Sequence, residues 1–109
     1  MKRSPRSLLE GLVREAIRLG AEIVEVEYRD RFEEVVAYKG ALGRELARLP
    51  AGSADAAVLR RELHAWKARP RRISVEGEGR IVRAEVWDSF GEDAYRISLG
   101  QPIKPLQRS

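Results

Sequence analysis

The chain has 109 residues, 43% of them apolar and 35% charged, with a net charge of +4; that length supports one hydrophobic core rather than two. It contains no cysteine, which excludes disulfides, thiolate metal sites and cysteine nucleophiles. No apolar run approaches the roughly 20 residues of a membrane-crossing helix, and the basic start Met1-Lys2-Arg3-Ser4-Pro5-Arg6 is not followed by a signal-type apolar stretch, so a cytoplasmic protein without membrane insertion is expected. Asn and Thr are absent and Arg (17) outnumbers Lys (4), a composition that suits a hot environment or a GC-rich genome.

Ser7-Leu8-Leu9-Glu10 has capping-box spacing. Leu8, Leu9, Leu12, Val13, Ala16 and Ile17 follow at intervals of three and four, which predicts a first helix ended by Gly20. The period then changes to two. Val24, Val26 and Tyr28 alternate with Glu25 and Glu27, as in a half-buried strand. Arg31 to Lys39 reads either as a second strand carrying Phe32, Val36 and Tyr38 or as a short helix capped by Asp30. The strand is preferred, because the first strand needs a neighbour and β-branched and aromatic residues dominate.

Leu42, Leu46 and Leu49 predict a short second helix, stopped by Pro50-Ala51-Gly52. Ser53 caps a third, with Ala56, Leu59, Leu63 and Trp66 as its buried stripe and Pro70 as its stop. Three alternating strands complete the chain: Ile73 and Val75, then Val82, Ala84 and Val86, then Tyr95, Ile97 and Leu99. Turns at Gly77-Glu78-Gly79 and Ser89 to Asp93 separate them. The expected fold is therefore α+β, an antiparallel sheet of about five strands with helices on one face, in the order α-β-β-α-α-β-β-β. One domain spans residues 1–100, and residues 101–109, with Pro102 and Pro105, form a flexible tail.

The chemistry-bearing patterns are sparse. The one histidine, His64, has no second His or Cys with which to share a metal. There is no phosphate-binding loop of the G-x-x-x-x-G-K-[ST] type and no G-x-S-x-G elbow. The carboxylates Glu22, Glu25, Glu27, Asp30, Glu33 and Glu34 fall on outward strand positions or beside a turn, which predicts a solvated face. No catalytic residue, cofactor or bound metal is expected, and the protein is read as a non-enzyme.

Two stretches resemble known families. Ala16-Ile17-Arg18-Leu19-Gly20-Ala21, then Ile23-Val24-Glu25-Val26-Glu27-Tyr28, then Asp30-Arg31-Phe32 and Lys39-Gly40 are similar to the N-terminal, non-ATPase domain of type II secretion and type IV pilus assembly ATPases. That resemblance implies a docking domain without its motor. The strand histidine and arginine-rich second strand of that family are missing here. Gly40-Ala41-Leu42-Gly43 resembles the GXXG loop of KH domains, which implies nucleic-acid binding between two helices.

Two surfaces are candidates for partners. Arg60, Arg61, Lys67, Arg69, Arg71 and Arg72 lie within thirteen residues, with Glu62 the only acid among them, a basic cluster that an RNA or DNA backbone would suit. In the strand Ile81–Trp87, Val82, Ala84 and Val86 are expected inward, which turns Ile81, Arg83, Glu85 and Trp87 to the other side. Two large apolar residues with a charged pair between them predict a partner or homodimer contact. The alternatives for that side are cover by the tail through Ile103 and Leu106, or the opposite register with Trp87 in the core.

Overall fold

The computed structural model describes residues 7–103. Helix α1 (Leu8–Arg18) leads into strands β1 (Ile23–Arg29), β2 (Phe32–Lys39) and β3 (Leu42–Pro50). Helix α2 (Ala54–Ala68) leads into β4 (Arg71–Val75), β5 (Glu78–Ser89) and β6 (Glu92–Ser98). The strands form a single antiparallel sheet in the order β3-β2-β1-β6-β5-β4. The fold is α+β.

Both helices follow from their sequences. The Ser7 hydroxyl oxygen accepts from the Glu10 N–H at 3.0 Å, and that of Ser53 from the Ala56 N–H at 3.1 Å; each cap satisfies a donor that the first helical turn leaves free. The stripe of α1 buries Leu9, Leu12, Val13, Ala16 and Ile17, and that of α2 buries Ala56, Leu59, Leu63 and Trp66. The helices also share a polar contact. The Glu62 carboxylate of α2 accepts from the Leu9 N–H at 2.8 Å, which sets negative charge at the positive end of α1.

Four hairpins close with two-residue loops. In three of them both loop residues have positive φ: Asp30 and Arg31, Glu76 and Gly77, Phe90 and Gly91. This is the turn whose twist matches that of the strands. The β4–β5 turn is thus Glu76-Gly77, and the expected turn residues Glu78 and Gly79 belong to β5.

The expected helix over Leu42 to Leu49 is strand β3, so the sheet has six strands and the order is α-β-β-β-α-β-β-β. A β-bulge misled the periodicity. Val35 pairs with Ala47 and Val36 with Glu45, which leaves Leu46 without a partner. An extra residue shifts the alternation, and Leu46, Ala47 and Leu49 all pack against the core. Leu42, counted into the helical stripe, is 79% exposed. Gly43 has a sheet reason as well. It sits opposite Tyr38, whose ring lies 2.7 Å from where a Cβ would be.

Residues of one parity in β1, β2, β5 and β6 join both helices in one cluster: Val24 and Val26, Val35 and Ala37, Val82 and Ala84, Tyr95 and Ile97. Leu99 continues the series just beyond β6. Of the expected tail, residues 101–103 follow β6 closely enough for the Ile103 N–H to donate to the Gly79 carbonyl at 2.7 Å. The rest of that tail and the basic start of the chain lie outside the described residues.

Phe90 is fully exposed at a left-handed position, with φ of 53°. That conformation costs a non-glycine residue about 1–2 kcal/mol, and Asn is favoured there before a glycine. Phe90→Asn should therefore stabilise the fold by about 1 kcal/mol, a rise in Tm of roughly 4–8 °C for a domain of this size. Calorimetry checks this, and a lowered Tm would mean that the ring serves the fold.

Candidate functional site

The basic cluster is dispersed by the fold. Arg60 makes a two-pronged pair with Glu33, with contacts of 2.7, 2.9 and 3.1 Å, and its remaining nitrogen donates to the Asp93 carbonyl at 2.8 Å. Its guanidinium also lies 5.6 Å from the centre of the Tyr95 ring. Arg60 is therefore a half-buried, paired cation rather than an open one. Arg61, Lys67 and Arg69 are exposed on α2 and at its end. Arg71 and Arg72 project to opposite sides of β4. Arg71 lies 5.5 Å from the Trp66 ring, whereas Arg72 packs over Gly79.

Glu33 corrects the expectation of a uniformly solvated carboxylate face, since only 5% of it is exposed. Its parity on β2 is that of Val35 and Ala37. Nothing in its own segment signals this, because the partner comes from α2, 27 residues later.

The other side of the sheet carries the second candidate surface. Strand β5 takes the register that its sequence predicts: Val82 and Ala84 are buried and Val86 partly so, while Ile81, Arg83 and Glu85 are exposed and Trp87 is half-buried. The neighbouring strands complete this side. Pairing sets Glu45, Val36, Glu25, Arg96 and Glu85 in one row across five strands. A second row runs through Gly43, Tyr38, Ile23, Ser98 and Arg83. Arg96 ties the first row together. It bonds Glu25 across the seam at 3.1 Å, and its guanidinium lies 5.2 Å from the centre of the Trp87 ring. The described tail residues meet β5 at Gly79, at the opposite end of the strand from Trp87.

At one end of the sheet the tips of the β1–β2 and β5–β6 hairpins frame a cleft of about 410 Å³, lined by Tyr28, Asp30, Phe90 and Glu92 among others. The Ser89 hydroxyl there donates to Glu27 at 2.6 Å, so it is engaged as a donor rather than poised beside a base. Sequence reasoning treated this segment only as a turn and missed the exposed Phe90. His64 is exposed on α2. Among the described residues no group of three or more His, Asp or Glu side chains is placed to hold a metal ion. No helix among them is long and apolar enough to cross a membrane. Gly40-Ala41-Leu42-Gly43 contains the turn that joins β2 to β3 and the start of β3.

The Glu33–Arg60 pair makes a direct prediction. Removing one partner of a buried pair strands the other charge, at a cost of about 3–5 kcal/mol, whereas replacing both by apolar residues is far milder. Arg60→Ala should accordingly lower the urea midpoint severely, and Glu33→Leu with Arg60→Met should recover most of the loss. Equal loss in both proteins would remove the pair from its structural role.

No protein-family model and no curated protein matches the chain.

Proposed function

We propose that this protein is a non-enzymatic interaction module that binds a protein partner through the side of its sheet turned away from both helices. The observation that carries this reading is the placement of Trp87 beside Arg96 on a face where Ile81, Arg83 and Glu85 are exposed. Interfaces draw their energy from a few aromatic and arginine residues surrounded by polar neighbours, and this face has that make-up. The resemblance of residues 16–40 to the docking domains of secretion and pilus ATPases favours the same reading, with a secretion- or pilus-associated role.

Nucleic-acid binding is the less favoured alternative. Of its six expected contacts, Arg60 is committed to Glu33, and Arg71 and Arg72 point away from each other. Arg61, Lys67 and Arg69 are left as an exposed group. Phosphate contacts weaken steeply with salt.

Capture from a cell lysate by immobilised protein tests the proposal. The wild type should retain a protein that Trp87→Glu does not, while circular dichroism of the variant is unchanged and nuclease treatment leaves capture intact. Capture that survives Trp87→Glu, or vanishes with nuclease and with Arg61, Lys67 and Arg69 changed to Ala, would overturn it.

A further inference from the structure

Strand β5 is longer than either of its neighbours, and they flank different parts of it. On one side β4 pairs only with Glu78 to Val82, and on the other β6 pairs only with Arg83 to Ser89. The described tail continues the β6 side, past Ile81 to the Gly79 carbonyl, which accepts from the Ile103 N–H. The β4 side has no such continuation among the described residues. Strand β4 begins at Arg71, opposite Val82, and the chain enters it from α2 through Pro70. One flank of β5 from Arg83 to Ser89 is therefore without a neighbouring strand.

The hairpin registers identify the groups left open. Residues that flank a two-residue hairpin loop exchange both backbone bonds, and bonded positions then alternate along the strand. In β5–β6 these positions are Ser89, Trp87, Glu85 and Arg83, and in β4–β5 they are Glu78, Arg80 and Val82. Ala84, Val86 and Asp88 thus direct N–H and C=O to the β4 side, where β4 has already ended. Among the described residues no backbone bond from another element reaches them. Free donors and acceptors in a row on an extended strand are a template for one more strand. The other edges of the sheet are guarded, β3 by its bulge at Leu46 and by Pro50, and β4 by its five-residue length and Pro70. The open stretch of β5 has neither bulge nor proline.

The flanking side chains narrow the occupant. Arg69, Arg71 and Arg83 are exposed at one end of the open stretch, Glu85 and Asp88 toward the other, and Trp87 is half-buried on the outer side. An added strand fits with an acidic residue at the Arg69 end, a basic one at the Asp88 end and an apolar one against Trp87. A second β5 does not fit. Laid antiparallel about a twofold at Val86, its Ser89 falls opposite Arg83, where Pro70 leads into β4. About a twofold at Trp87, its Phe90-Gly91 turn falls in the same place.

We infer that an extended segment of the partner protein adds to the sheet along the open flank of β5, in a slot of roughly 20 Å beside Arg83 to Ser89. This inference rests on the reading of the adjoining sheet side as a protein-docking surface. Val86→Pro is the discriminating variant, because proline removes the open N–H but no bond to β6, and strands accept proline where the N–H faces solvent. Random heptapeptides displayed on phage and selected on the immobilised full chain supply the probe. Selected peptides should bind the wild type at least tenfold more tightly than Val86→Pro, and should slow hydrogen exchange at the Ala84, Val86 and Asp88 amides. Asp88→Pro removes a second open N–H and gives the same comparison should Val86→Pro misfold. A selection that yields no binder, peptides that bind wild type and variants alike, or protection of other amides instead would overturn the inference. So would a wild-type dimer in sedimentation that either proline breaks, since a second copy would then hold the slot. Lysate capture that is lost in Trp87→Glu but kept in Val86→Pro would overturn strand addition while upholding the docking face.

Discussion

Strand β1 pairs with β6 over Ile23↔Ser98 to Val26↔Tyr95, and this seam makes one sheet out of two three-stranded meanders. Its register places Val24 against Ile97 and Val26 against Tyr95, among the most deeply buried side chains of the core. The partners are more than 65 residues apart in the chain, so the seam closes the longest loop in the fold and its entropy cost falls on a few residue pairs. Apolar burial at the seam offsets that cost. Each meander alone would leave one long flank of its sheet open, with Val24 and Val26 or Tyr95 and Ile97 along the exposed edge. The extra bond from the Leu99 N–H to the Glu22 carbonyl extends the seam at its α1 end, and the Glu22 N–H to Tyr38 carbonyl bond ties the same residue to β2.

The element order runs helix and three strands twice. Both halves begin with a serine cap that accepts from the N–H three residues on, and both continue into a two-residue hairpin with positive φ at each loop residue. The halves lie side by side in the same sense, so equivalent strands occupy different places. Strand β1 is central where β4 is an edge, and β3 is an edge where β6 is central. A central strand needs full burial on one side, whereas an edge strand needs charge and irregularity to discourage unwanted pairing. The sequences answer to these separate demands, and that is why no internal repeat is visible in the chain.

Legibility followed the same division. Helices α1 and α2, the strand pairs β1–β2, β4–β5 and β5–β6 and the register of β5 could be read from residue spacing, because each buries one face along an unbroken period. The edge strand β3 could not. Its bulge at Leu46 breaks the alternation, and Leu42, Leu46 and Leu49 then fall at helical spacing by accident. Glu33 was unreadable for a different reason. A carboxylate at an inward strand position looks like an error of register until its partner is known, and Arg60 lies on an element whose own pattern suggests a solvated basic face. Of the two candidate surfaces, the residues Ile81, Arg83, Glu85 and Trp87 share one side of β5, because strand parity is local. The basic cluster came apart because linear proximity on a helix and the following strand does not fix a common direction.

In the proposed docking role, the open sheet side would meet two demands that pull in different directions. A face with Trp87, Tyr38, Val36 and Ile23 uninterrupted would stick indiscriminately, since contiguous exposed apolar area drives association without regard to partner. Here two of these groups have charged neighbours across the strands: Glu25 and Glu45 flank Val36, and Arg96 lies against Trp87, while Ile23 and Tyr38 lie side by side. The Arg96 guanidinium covers part of the indole while its charge is held by Glu25, so the aromatic is shielded when the face meets water. The same arginine keeps donors in reach of a carboxylate from outside. Charge complementarity contributes more to choice of partner and speed of encounter than to affinity. Apolar side chains set among charged ones thus tolerate solvent, and a protein partner of the proposed kind would be selected on this face by its charge pattern.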